Sequence, residues 1–122
     1  MGNFKVLVID DSPFIFKAVK RALEPNGFEI IGHGENGKLG LELYQQNKPD
    51  IITLDVTMPV MDGLETARAL LQIDPSVKII MLSAMGDDDL MADAKNIGVR
   101  SFLSKPFKAE ELLDAVNHLL NA

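Results

Sequence analysis

The feature that most constrains this chain is a strict alternation of two patterns. Five short, β-favouring, largely apolar runs fall at residues 5–9, 28–31, 51–54, 77–82 and 101–103, and a segment of helical character follows each one. The central runs lack a polar residue at every second position, which is the pattern of strands covered on both faces. Strand and helix in repeated succession imply a parallel sheet, and right-handed crossovers lay the helices against both of its faces. A chain of 122 residues has room for one such core. The expected architecture is an α/β three-layer sandwich of (βα)5 form, a single domain over residues 1–122.

Local signals place the helices. Ser12-Pro13 supplies an N-cap and a proline at the first helical position, and Ile15, Val19, Ala22 and Leu23 line one face until Pro25-Asn26-Gly27 ends the helix. Asn36 caps a second helix to about Gln46, with Leu39, Leu43 and Tyr44 expected inward, before Lys48-Pro49-Asp50 breaks the chain. Asp62 and Glu65 have capping-box spacing and open a third helix to about Ile73. Asp87, Asp88 and Asp89 sit where a helix N-terminus attracts negative charge, and Gly98 is its expected C′ residue. The last helix, Ala109–Leu120, presents Leu112, Leu113, Val116, Leu119 and Leu120. No linker, repeat or effector domain is expected within the chain.

Composition then excludes whole classes of function. A formal net charge of −6 argues against a nucleic-acid surface, which needs clustered lysine and arginine. With no cysteine there is neither a disulfide framework nor a thiolate metal site. The apolar run at residues 6–9 is far too short for a signal peptide or a membrane span, so a cytoplasmic domain without membrane insertion is expected.

Four of the five strands end on a residue with chemistry: Asp10-Asp11, Asp55, Ser83 and Lys105. In a parallel sheet the C-terminal strand ends share one edge, and ligands bind there where the strand order reverses. The flavodoxin-like order 2-1-3-4-5 puts that reversal between strands one and three, with Asp10-Asp11 beside Asp55. Three carboxylates in one place repel unless neutralised, and oxygen-only ligands of this kind suit Mg2+. Lys105 and Ser83 can offer a positive charge and a hydroxyl to the oxygens of a phosphoryl group. A carboxylate nucleophile beside a divalent ion, a cation and a hydroxyl is equipment for forming an acyl phosphate, with Asp55 as acceptor.

The ordered set Val8-Ile9-Asp10-Asp11, Leu54-Asp55-Val56-Thr57-Met58-Pro59 with Asp62-Gly63, Ser83-Ala84 and Lys105-Pro106-Phe107 resembles the response-regulator receiver domains of two-component signalling. The resemblance spans essentially the whole chain, and the single-domain chemotaxis (CheY) type is the expected subgroup. It implies phosphorylation of Asp55 by a histidine kinase or phosphotransfer domain, with Mg2+ held by Asp11, Asp55 and the Thr57 backbone carbonyl and assisted by Asp10. It also implies that Ser83 and Lys105 bind the phosphoryl oxygens, that Lys105-Pro106 is cis, and that Ser83 and Phe102 form a switch. Ser83 stands where threonine is commoner and keeps the hydroxyl. Phe102 stands where tyrosine is common, so a switch here rests on packing rather than a phenol hydrogen bond; the alternative is that Phe102 is plain core. Thr57 and Met85 flank the path of attacking water in such domains, and neither orients water well, which implies slow loss of the phosphoryl group without a phosphatase partner. The implied target is a protein such as a flagellar-motor switch component.

Other readings compete. A phosphorelay intermediate would hand its phosphoryl group to a histidine on another protein. A receiver detached from a larger DNA-binding regulator would share every motif. A phosphatase working through an aspartyl phosphate needs a general acid at the position of Thr57, so a turnover enzyme is not expected. An FMN carrier would turn its phosphate loop toward Asp10-Asp11, which repel phosphate. Gly32-His33-Gly34-Glu35-Asn36-Gly37 matches G-x-G-x-x-G between a strand and a helix, yet Glu35 falls inside the would-be phosphate loop. His33 reads as a strand-end or surface residue, and with His118 the only other histidine a histidine metal site is not expected. Phe14 and Phe16 lie off the apolar stripe of the first helix and are open either to partner contact or to partial packing.

Overall fold

The computed structural model describes residues 4–121. It contains strands β1 (Phe4–Ile9), β2 (Phe28–Gly34), β3 (Ile51–Asp55), β4 (Ile79–Ser83) and β5 (Ser101–Ser104). Helices α1 (Pro13–Leu23), α2 (Gly37–Asn47), α3 (Gly63–Ile73), α4 (Asp88–Ile97) and α5 (Ala109–Leu120) alternate with them. All strand pairs are parallel, in the order β2-β1-β3-β4-β5. This is the flavodoxin-like arrangement expected from the alternation.

The sheet separates two apolar layers. Leu7, Ile9, Ile52, Leu54 and Met81 face one side, with Tyr44 of α2, Ala67 and Leu70 of α3 and Ala94 of α4. Val6, Val8, Ile51, Ile80 and Leu82 face the other, with Val19 and Leu23 of α1 and Leu112 and Val116 of α5. Each fully covered Leu, Ile or Val side chain contributes roughly 1.5–3 kcal/mol by leaving water, so two filled faces hold the sheet rigid. That rigidity fixes the strand ends.

Helix starts follow the local chemistry. The Ser12 hydroxyl accepts from Ile15 N at 3.4 Å, and the Asp62 carboxylate accepts from Glu65 N at 2.8 Å. Lys108 N donates to Glu111 Oε1 at 2.8 Å, closing the start of α5. Gly98, at φ 116°, ends α4 in the left-handed region.

Three expectations need correction. Leu39 is 43 % exposed, not inward. Helix α2 instead turns glycine to the sheet: a Cβ on Gly40 would lie 2.8 Å from Ile9 Cγ1, so only glycine allows this approach, and Leu39 is rotated away. Strand β2 continues through Gly32-His33-Gly34, because β1 pairs with it to its end. Strand β4 begins at Ile79, because Val77 uses its N–H in a turn to Asp74 O at 3.0 Å. Asp87, Asp88 and Asp89 stand at the start of α4 as expected, and Asp87 Oδ2 accepts from Ala84 N at 2.7 Å, which ties down the loop after Ser83.

Candidate functional site

The reversal point lies between β1 and β3, and the polar strand ends meet there. Asp10 follows β1 directly and is fully buried. Its N–H donates to Gly34 O at 2.9 Å, and its Oδ1 accepts from Ser12 N at 2.8 Å. Its Oδ2 is buried without a hydrogen-bond partner; the Lys105 ammonium stands 3.3 Å away as an ion pair that lacks hydrogen-bond geometry. Asp55 is the last residue of β3, and its Oδ1 accepts from Lys105 Nζ at 3.0 Å and, weakly, from Thr57 N at 3.4 Å. Asp11 is exposed at the mouth, and the carboxylates of Asp10, Asp11 and Asp55 offer oxygens within 4.8 Å of one another.

Lys105 reaches this group across β4. Its backbone N–H donates to Ser83 O at 2.7 Å, which pins it against the end of β4, and the Lys105-Pro106 peptide is cis, as the resemblance implied. Ser83 is buried at the end of β4, in register with Ser104. Phe102 pairs with Met81 two residues earlier, is half-buried against the α2–α3 side of the sheet, and has Lys95 Nζ 5.5 Å from its ring centroid. Thr57 is exposed, with its N–H turned to Asp55.

Burial raises the Asp10 carboxyl above its ordinary value, against the Ser12 N–H and the Lys105 charge, which both lower it. Burial likewise raises Asp55; the Lys105 hydrogen bond pulls the other way and the Asp10 charge adds to the rise. For Lys105, burial pulls the ammonium down, but the hydrogen bond to Asp55 and the charges of Asp10 and Asp55 outweigh it and leave it raised. With all groups ionised, three carboxylates against one ammonium leave an excess of about two negative charges, each close pair costing on the order of 3 kcal/mol at an effective dielectric of about 20. A small divalent cation with oxygen preference answers that excess, and the buried Asp10 Oδ2, which has the Lys105 ion pair but no hydrogen bond, has a lone pair to offer it. The residues fit Mg2+.

Two contributors escape a strand-end reading. Gly63 N donates to Val56 O at 2.8 Å, and a Cβ on Gly63 would strike the Asp55 carbonyl and come 2.7 Å from Val56 Cα. Glycine after Asp62 therefore lets α3 start against the backbone of the Asp55 turn; the Asp-Gly pair was the available signal. His33, near the end of β2 as expected, bonds the Asp10 carbonyl through Nε2 at 2.7 Å and stacks on Phe16. Phe16 is thus packed, whereas Phe14 is 80 % exposed. His118 is exposed on α5.

Comparison with known proteins agrees with this geometry. The family profile described as response regulator receiver domain matches residues 6–117. The chemotaxis protein CheY of Bacillus subtilis is 41 % identical over 117 residues, covering 96 % of this chain and 98 % of that protein. CheY of Thermotoga maritima is 38 % identical over 117 residues, with 96 % and 97 % covered. Among solved structures, a chain of the CheX-CheY-BeF3-Mg complex from Borrelia burgdorferi superposes with a TM-score of 0.89 at 33 % identity, covering 94 % of this chain and 87 % of that one. A receiver domain from Clostridium thermocellum gives 0.90 at 32 % identity, with 97 % and 94 % covered. With the strand order, the acidic edge and the lysine all in agreement, the chain belongs to the response regulator receiver domain family, close to its CheY chemotaxis members.

Proposed function

We propose that Asp55 is the phosphoacceptor and that this receiver domain works as a chemotaxis regulator in the cytoplasm, charged by a histidine kinase. The observation that carries the reading is the meeting of Asp55 with Asp10, Asp11 and Lys105 at one sheet edge. An Asp55 carboxylate oxygen attacks phosphorus, the bond from phosphorus to the donor's imidazole nitrogen breaks, and that nitrogen keeps the electron pair. Lys105 is already held on Asp55 and meets the charge on the transferring oxygens, while the Ser83 hydroxyl donates to one of them. Asp10, Asp11, Asp55 and the Thr57 carbonyl would hold Mg2+, which supplies neutralising charge and polarises the phosphoryl oxygens.

Thr57 offers no acid for rapid hydrolysis, so the product is a stored signal rather than one turn of an enzyme cycle. Ser83 moving toward the phosphoryl group and Phe102 repacking beside α4 carry that signal to the face formed by α4, β5 and α5. The chemotaxis relatives favour a flagellar-motor switch protein as the target there, and the Borrelia complex, in which a CheY is bound to CheX, supports a second protein partner.

The test is incubation with acetyl phosphate and Mg2+, read by intact mass. One phosphoryl adduct is expected, absent in Asp55→Asn and suppressed by EDTA, with gain of binding to a motor-switch protein. Sustained multiple turnover, or an adduct that persists in Asp55→Asn, would refute the reading.

A further inference from the structure

In the G-x-G-x-x-G stretch the histidine makes a contact that reaches beyond its own strand. Strands β1 and β2 pair Val6 with Ile30 but Leu7 with Gly32, so Ile31 is an extra residue in β2. A bulge of this kind re-aims every side chain beyond it, because strand neighbours alternate faces. Beyond the bulge His33 pairs with Val8, and its Nε2 lies 2.7 Å from the carbonyl oxygen of Asp10. A carbonyl can only accept, so Nε2 carries the hydrogen and donates. The Phe16 ring lies parallel to the imidazole, at 4.3 Å between centroids and 3° between planes. It forms a flat wall that limits rotation of the imidazole about χ2.

That carbonyl belongs to the peptide linking Asp10 to Asp11. The peptide is planar, so fixing its C=O direction also fixes the direction in which the chain leaves toward Asp11. The Asp10 N–H is fixed by the same strand, through Gly34 O at 2.9 Å. Strand β2 thus grips the backbone on both sides of Asp10, while the Asp10 Oδ2 makes no hydrogen bond. Asp11, exposed, has its backbone entry angle set by this grip.

We propose that His33 is a positioning residue for the divalent-cation site, holding the Asp10–Asp11 peptide so that both carboxylates face the same ion, with Phe16 keeping the imidazole in line. The proposal rests on the reading of Asp10, Asp11 and Asp55 as metal ligands. Residues that orient metal ligands from behind typically change affinity by about 10–100-fold when lost.

The experiment measures Mg2+ affinity by calorimetry on the whole chain, beside the metal-free amide spectrum. His33→Phe keeps a ring for Phe16 and removes the donor; it is expected to weaken Mg2+ about tenfold and to shift the Asp11 amide resonance. His33→Gln keeps an N–H donor and is expected to restore most of both. Asp11→Asn is the control for the metal reading itself. If Asp11→Asn binds Mg2+ like the wild type, the metal reading fails; if it loses binding while His33→Phe does not, only the positioning role is overturned. Equal weakening in His33→Phe and His33→Gln also overturns it. Should His33→Phe not fold, the wild-type imidazole nitrogen shifts decide: the Nε2–H tautomer is expected, and the Nδ1–H tautomer overturns the proposal.

Discussion

The Lys105 ammonium donates a 3.0 Å hydrogen bond to the Asp55 carboxylate, joining the chain after β5 to the end of β3 across the intervening β4. The same nitrogen lies 3.3 Å from Asp10 Oδ2, so one cation is shared between two buried acids. Lys105 is thus already placed on the carboxylate proposed to accept the phosphoryl group.

Lys105→Met keeps the length of the side chain and removes its charge. Phosphorylation by acetyl phosphate should slow by about 10²-fold or more, since a group aimed at developing oxygen charge is lost. The raised ammonium contributes stability fully present below the ordinary lysine value of 10.5 and lost only as pH rises through its higher folded value. At pH 7 the variant should therefore be less stable, by about 1–2 kcal/mol after allowance for the 20 % exposure of the lysine side chain. Urea unfolding and adduct formation timed by intact mass measure the two effects.

Asp55→Asn should be more stable than the wild type at pH 7, by on the order of 1 kcal/mol. The folded carboxyl is raised above its ordinary 3.8, chiefly by burial, so folding disfavours the ionised form. Between the unfolded and folded values the native state holds more protons, and wild-type stability falls as pH rises through that window. The advantage of Asp55→Asn should shrink as pH is lowered toward 4. Melting curves across pH 4–7.5 decide it, and an advantage that grew at low pH would have the wrong sign.

Thr57 follows Asp55 by two residues, and its exposed side chain carries neither acid nor amide. Thr57→Asn places an amide able to orient water beside the acyl phosphate. Loss of the phosphoryl group should quicken by about 2–10-fold, on the scale of one added positioning contact. Decay of purified phosphoprotein in wild type and variant measures this.

The loop after Asp55 holds two backbone positions of opposite character. Gly63→Ala would drive a methyl into the Asp55 carbonyl and to within 2.7 Å of Val56 Cα, and should cost about 2–3 kcal/mol while weakening Mg2+. Val60 is 78 % exposed at φ 68°, a conformation that a β-branched residue adopts under strain. Val60→Gly should be stabilising by about 0.5–1 kcal/mol, because released strain exceeds the added entropy of the unfolded chain. Chemical unfolding of both variants tests the pair.

Much of this was legible before any coordinates. The apolar runs and their capping residues specified strands and helices because burial periodicity and local hydrogen bonding act over a few neighbours. Asp10, Asp11, Asp55 and Lys105 stood out because polar residues at the ends of buried strands need a reason to be there. The errors arose where a distant element overrode local pattern. Leu39 fits an inward helical stripe, but Gly40 lets α2 settle on Ile9 with a different face. Strand β2 runs on through Gly32-His33-Gly34 because β1 pairs with it that far.

By itself, then, the sequence determined the alternation, the parallel sheet and the roster of charged strand ends, all of which follow from hydrophobicity and short-range geometry. Only the tertiary structure decided how those ends are held: the single ammonium shared by Asp10 and Asp55, the Asp10 Oδ2 buried without a hydrogen bond, and the imidazole of His33 on the Asp10 carbonyl. The physical reason is register. A one-residue bulge in β2 chooses which face His33 presents, and the sheet's strand spacing sets whether Lys105 can span two carboxylates. Those are properties of strands paired across long stretches of chain.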